Sequence, residues 1–162
     1  MSEFICNTSP LQYLHQLGLL DILRKLTGNV TVPPAVVGEL QAGRSKGASV
    51  PDPATLSWVT IRIPTSAVVM PLITDLGAGE REVLALARES LDAIAILDDG
   101  AARRVAAVLG IRHRGTLGML LDAKRAGLVV AVQPVLDRLQ ALGFRLDART
   151  RQDVLELAGE AS

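Results

Sequence analysis

Short apolar runs alternate with amphipathic stretches along this chain, the pattern of a parallel sheet with helices on both faces. Residues 4–6 and 30–32 are apolar runs of strand length, and residues 93–97 stay apolar until Asp98-Asp99-Gly100 stops them. Strands buried on both faces read this way, and ligands of open α/β sheets bind beyond the carboxyl ends of such strands. Across residues 58–63, Trp58, Thr60 and Arg62 alternate with Val59, Ile61 and Ile63. That period predicts a half-buried strand at an edge of the sheet. Ile111 begins one more short strand.

Helical spacing fills the intervals. Ser9 offers an N-cap hydroxyl and Pro10 suits a first helical turn, followed by a stripe of Leu11, Leu14, Leu17 and Ile22 that ends near Gly28. Pro33-Pro34 opens a helix carrying Val36, Val37 and Leu40, and residues 43–53, rich in Gly, Ser and Pro, predict a surface loop. Val83, Leu84 and Ala87 share a face over residues 79–89. Ala102, Val105, Ala106 and Leu109 form the next stripe, ended by Gly110. Thr116 caps a helix through Leu117, Leu120 and Leu121 that Gly127 terminates, and two short helices follow at 134–142 and 150–157.

Composition narrows the picture. Phe4, Tyr13, Trp58 and Phe144 are the aromatic residues, so the core must be aliphatic. Cys6 has no second cysteine to pair with, and its apolar neighbours make it a buried small hydrophobe that fits a reducing compartment. No run reaches the ~18 apolar residues of a membrane helix, and no basic segment precedes an apolar one near residue 1, so a soluble, cytoplasmic protein is expected. Seventeen basic and seventeen acidic residues cancel, so a polyanion must be met by a local patch. Residues 101–125 supply one: Arg103, Arg104, Arg112, Arg114, Lys124 and Arg125 stand against Asp122 alone.

The candidate chemistry sits where strands end. Asn7 follows the first strand, Glu39 and Glu80 lie in helices, and Asp98-Asp99 follows the buried run at 93–97. Adjacent carboxylates repel one another and gain by binding a cation, and hard cations such as Mg²⁺ or Mn²⁺ take oxygen ligands. Each residue also has a plainer reading. Asn7 can support a strand-to-helix turn, Glu80 can complement a helix N-terminus, one of the two aspartates can cap the next helix, and Glu39 can be a surface residue. Arg103, four residues after Asp99, can pair with it. His15 and His113 lack the spacing of a zinc site, and no glycine-rich phosphate loop is present. A phosphatase with Asp98 as nucleophile would need its aspartate pair near the first strand, whereas this pair follows residues 93–97.

Taken in order, Ile5-Cys6-Asn7-Thr8-Ser9-Pro10-Leu11, Val32-Pro33-Pro34-Ala35-Val36-Val37-Gly38-Glu39-Leu40, Leu76-Gly77-Ala78-Gly79-Glu80-Arg81-Glu82, Leu97-Asp98-Asp99-Gly100-Ala101-Ala102-Arg103 and Gly115-Thr116-Leu117-Gly118 resemble the PIN-domain family of metal-dependent nucleases. The resemblance implies a three-layer α/β/α sandwich around a mainly parallel sheet of about four or five strands. It implies a single domain, with a core over about residues 3–145 and a helical extension over about 146–162. It places the catalytic positions on Asn7, Glu39, Glu80 and Asp98 or Asp99, with Mg²⁺ or Mn²⁺ held by Glu39, Glu80 and the aspartate pair. Thr8, Ser9, Arg103 and Thr116 would support them, Thr8 or Ser9 acting on the first ligand. Arg104, Arg112, Arg114 and Lys124 would contact RNA. The implied activity is a metal-dependent ribonuclease, the toxin of a toxin–antitoxin pair with a small antitoxin protein as partner. A homodimer is expected through the helices at 11–22 and 117–126. Asn7 stands where the family generally has Asp, which leaves open a weak or inactive RNA- or protein-binding module.

Overall fold

The computed structural model describes residues 2–65 and 76–161. Five short strands, β1 (Glu3–Cys6), β2 (Val30–Val32), β3 (Val59–Ile61), β4 (Ala93–Ile96) and β5 (Arg112–Arg114), form one sheet in the order β3-β2-β1-β4-β5. Every pairing is parallel. Parallel neighbours need crossovers, and helices supply them. The pair α1 (Thr8–Gln16) and α2 (Leu20–Thr27) links β1 to β2, and α3 (Pro34–Ser45) follows β2. Next, α4 (Ala78–Glu89) precedes β4 and α5 (Gly100–Val108) precedes β5, while α6 (Thr116–Arg125), α7 (Gln133–Ala141) and α8 (Ala148–Leu157) complete the order. With α1, α2 and α6 in mutual contact and α4 packed on α3, α5, β1 and β4, the molecule is the expected α/β/α sandwich.

The topology decides where a ligand can sit. From β1 the chain moves outward to β2 and β3, then returns to build β4 and β5 on the other side of β1. The crevice beyond the carboxyl ends of β1 and β4 is therefore the switch point of the sheet. Register brings the two strand ends level: Cys6 pairs with Ile96, and the Asn7 amide donates to the Ile96 carbonyl at 3.0 Å. Asn7 and the Asp98-Asp99 pair leave the sheet at that crevice.

Beneath it the core is aliphatic, with Ile5, Cys6, Val30, Val32, Ala95, Ile96 and Leu97 fully buried. Burial, helped by the nearby Asp98 charge, pushes the Cys6 thiol well above its ordinary range, so it packs as a hydrophobe.

Several elements depart from the expectation. The first helix begins at Thr8 with Asn7 as its N-cap, so Ser9 lies inside the first turn. Gly18 takes a left-handed φ of 73°, open to glycine at little cost, and divides the long stripe into α1 and α2. Gly43 lies within α3, which shortens the expected loop. Gly115, not Thr116, caps α6. β3 does lie at the edge, but Ile61 and Ile63 are 45% and 71% exposed, so it is less buried than its alternation predicted.

The expected dimer helices are also used differently. Leu11, Leu14, Leu17, Met119, Leu120 and Ala123 are buried within one chain, because α1 and α6 pack on each other. That apolar area is not available to a second copy. Residues after 145 are tied in rather than trailing: α8 packs on α6, and Glu160 bonds Lys124 and the start of α7. Among the described residues, no helix is long and apolar enough to cross a membrane.

Candidate active site

Asn7 is the first residue of the candidate site. An N-cap Asn ordinarily accepts a hydrogen bond from the second or third amide of its helix. Here the backbone takes the extended N-cap conformation, but the side chain makes no such bond. Asn7 is only 5% exposed, and its Oδ1 has no hydrogen-bond partner among the described residues. Leaving a buried acceptor unpaired costs about 1–3 kcal/mol. An oxygen held at that cost is a candidate ligand.

Glu39 reaches the same place from α3. Thr8 Oγ1 donates to Glu39 Oε1 at 2.6 Å, so this hydroxyl steadies the second acidic position rather than the first, as the sequence had suggested. The two side chains meet over Gly79, in the first turn of α4. A Cβ there would overlap Glu39 Oε1 and lie 2.8 Å from Asn7 Oδ1. Gly79 is therefore a glycine because two oxygens occupy the space a side chain would need. Holding α3 against α4, Glu82 Oε1 accepts from the Ala35 amide at 2.9 Å.

Glu80 follows directly and reaches back toward the Gly77 N-cap, as the third residue of a capping box does. Its carboxyl is raised above the ordinary range, first by burial and then by the charges of Asp99 and Glu39, while the Gly77 amide pulls it down. The electrostatic coupling ties Glu80 to both acidic neighbours.

The two aspartates divide their work. Asp98 Oδ1 accepts from the Thr116 amide and Oδ2 from Thr116 Oγ1, both at 2.7 Å, so the start of α6 fixes the carboxylate. Burial raises the Asp98 carboxyl; the Thr116 bonds and the Arg103 charge oppose that. Gly115 leaves room for it, since a Cβ there would lie 3.1 Å from Asp98 Oδ1. Asp99 is exposed and caps α5 through Oδ2, which accepts from the Ala102 amide at 2.9 Å. Arg103 thus acts on Asp98, and its expected pairing with Asp99 is not formed. Ser9, Tyr13, Glu80, Asp98, Asp99, Phe144 and Arg145 line a cavity of 330 Å³ at this edge.

A family model described as a PIN domain matches residues 3–160. The chain belongs to the PIN-domain family. No curated protein matches it. The match takes in α8 and Glu160. PIN domains are typically nucleases and generally use divalent metals.

The donors in this PIN domain suit such an ion in kind. They are an amide oxygen and carboxylates, with no sulfur or imidazole, the set preferred by hard cations. Among the described residues, no three His, Cys, Asp or Glu side chains are grouped closely enough to hold an ion by themselves. Mg²⁺ sites commonly rest on one or two carboxylates completed by water and substrate phosphate. The orphaned Asn7 oxygen beside Glu39, above a glycine that makes room for both, fits an open site of that kind.

The basic residues assort unevenly. Arg112 pairs with Asp92 and Ser2 at the amino end of the sheet, away from the carboxylates, because it opens β5 instead of closing it. Lys124 is held by Glu160 and the Ala158 carbonyl. These two do not reach the site as expected. Arg114 is clamped by Asp122 and the Gly118 carbonyl yet borders a second cavity beside Asp98, and Arg104 is exposed on α5. Tyr13, Phe144, Arg145 and Gly79 were missed. The run Gly143-Phe144-Arg145, an aromatic and a cation after a glycine, is a signal that could have found part of this rim.

Proposed function

We propose that this PIN domain is a metal-dependent endoribonuclease whose site comprises Asn7, Glu39, Glu80 and the Asp98-Asp99 pair. The observation that carries the reading is the buried, unpartnered Asn7 Oδ1 set against Glu39 Oε1 over Gly79. Bound Mg²⁺ or Mn²⁺ would supply Lewis-acid stabilisation of phosphoryl charge and a more acidic water. Asn7, Glu39, Glu80 and Asp98 would hold it, with Asp98 kept in orientation by Thr116 and Arg103.

Thr8 holds Glu39 through one hydrogen bond, and Thr116 holds Asp98 through two. Ser9 lines this edge but makes no described hydrogen bond to a base, and Cys6 is buried, so direct hydrolysis without a covalent enzyme intermediate is the reading favoured here.

Asn7 also favours a second reading, an RNA-binding module with little catalysis, because an amide brings one negative charge fewer than the Asp of most PIN nucleases. Calorimetric titration with Mn²⁺, paired with a single-stranded RNA cleavage assay, separates the two. Stoichiometric Mn²⁺ binding with metal-dependent cleavage supports the nuclease. RNA binding without either supports the module.

The biological role we propose is that of a toxin acting in the cytoplasm as a single folded unit and neutralised by a small antitoxin protein. A neighbouring reading frame for a short DNA-binding or helical protein would support it. A homodimer would not use the buried stripes of α1 and α6; the exposed Leu91 and Val108, 106% and 87% accessible, offer other apolar surface. Light scattering at micromolar concentration tests it.

A further inference from the structure

A second cavity, of 410 Å³, adjoins the carboxylates on the side of β5, α6 and α8. Its wall includes Asp98, Arg103, Arg114, Phe144, Arg145 and Leu157. Asp98, Phe144 and Arg145 line this cavity and the carboxylate cavity alike. The two spaces therefore adjoin across one short segment, the connection between α7 and α8.

The volume lies in the range of small-ligand sites. The charges are specific. Arg114 is neutralised by Asp122, whereas Arg103 and Arg145 take part in none of the described ion pairs. Asp153 is the further carboxylate on the wall. The aromatic content is specific as well. The chain has four aromatic residues; Phe144 lines this cavity, and Tyr13, which lines the carboxylate cavity, meets that ring edge to face at 5.2 Å and 83°. An aromatic ring lining one cavity with two arginines outside the described ion pairs, Arg103 with its charge also acting on Asp98, is what a single polynucleotide strand needs beside a phosphodiester-cleaving edge: a platform for a base and cations for its backbone.

We infer that this second cavity seats one nucleotide of single-stranded RNA next to the phosphate being cut, its base against Phe144 and its backbone phosphate held by Arg103 and Arg145. The inference rests on the nuclease reading for the position of the cut, but the seat itself depends on RNA binding alone. Paired bases in an A-form duplex offer no free face to stack on, so the seat selects unpaired RNA.

The test is fluorescence anisotropy of a labelled oligoribonucleotide, single-stranded or annealed to its complement, in EDTA so that nothing is cut. The single strand is expected to bind the tighter. Phe144→Leu, which keeps an apolar contact with Tyr13, is expected to weaken it about tenfold with the salt dependence unchanged. Arg103→Gln and Arg145→Gln are each expected to lower the slope of log affinity against log salt by about 0.7. Equal binding of strand and duplex, or wild-type affinity in Phe144→Leu, overturns the seat. Mn²⁺ calorimetry keeps the two claims apart. A wild type that binds Mn²⁺ and cuts RNA while these variants bind RNA normally loses the seat and keeps the nuclease. A wild type that binds no Mn²⁺ but shows the expected RNA pattern loses the nuclease and keeps the seat.

Discussion

Two acidic corners of the molecule are built on opposite terms. Where α6, α7 and α8 meet, Glu160 accepts from Lys124 Nζ at 2.8 Å and from the amides of Val132 and Gln133 at 2.7 and 2.9 Å. Burial pushes its carboxyl up, yet the lysine and the two amides outweigh that and hold it at about 2. At the carboxyl edge of the sheet, Glu80 and Asp98 are both raised, and Asn7 Oδ1 has no partner among the described residues. One corner is satisfied by the chain itself. The other is left wanting positive charge, which is how a site differs from a brace.

Removing an acid from each corner is the strongest way to break this comparison. Glu39→Ala is expected to lower RNA cleavage by at least about 100-fold, because losing a ligand should cost no less than losing its outer support. Its thermal stability should hold or rise, since like charges nearby are relieved. Glu160→Ala should do the reverse: activity preserved, stability down by about 1–3 kcal/mol in urea unfolding, because Lys124 and two amides lose their acceptor. Loss of activity in Glu160→Ala with Glu39→Ala unaffected would erase the distinction.

Gly79→Ala sharpens it. The new methyl displaces Glu39 Oε1, which can swing outward on its exposed side chain, and crowds Asn7. We expect cleavage to fall about 10–100-fold while the circular dichroism spectrum and melting temperature stay near wild type, since alanine suits a helix better than glycine. Asn7→Asp moves the other way. A second charge beside Glu39 is expected to tighten Mn²⁺ about tenfold by calorimetry, through charge attraction rather than new contacts. Without metal the same variant should melt lower than wild type.

The smallest effect is in pH. For Glu160, the folded value of about 2 lies below the ordinary 4.5, so its stabilisation is present above 4.5 and is lost as pH falls toward 2. For Glu80 and Asp98 the sign is opposite: their folded values are raised, so what they contribute is present at low pH and lost as pH rises through those values. Unfolding curves of Glu160→Gln and Glu80→Gln across pH should flatten at opposite ends. Flattening at the same end would mean the two corners are electrostatically alike.

Much of this was legible in the sequence because it depends on chain direction. An apolar run ending at Asp98 must deliver that carboxylate to the edge of a parallel sheet, and Asn7 after residues 4–6 must leave by the same edge. Side-chain geometry was not legible. Thr8 and Ser9 are adjacent hydroxyls at the head of one helix, and only the position of α3 determines that Thr8 meets Glu39. Arg112 and Arg114 lie two residues apart, yet strand direction sends one to each end of the sheet. The α1–α6 contact hid in the same way: an apolar stripe looks identical whether a helix of the same chain or another copy will cover it.

The central position of β1 has a consequence for how the protein comes into being. β1 pairs with β2 on one side and with β4 on the other, where Glu3 lies opposite Ala93. During synthesis, residues 3–32 can pair early, but the crevice does not exist until β4 has emerged and threaded in beside β1, a slow, long-range closure. The rim that Phe144 and Arg145 add arrives later still. A ribosome making this chain therefore carries a growing sheet whose carboxyl edge stays incomplete until β4 and the α7–α8 connection have been made.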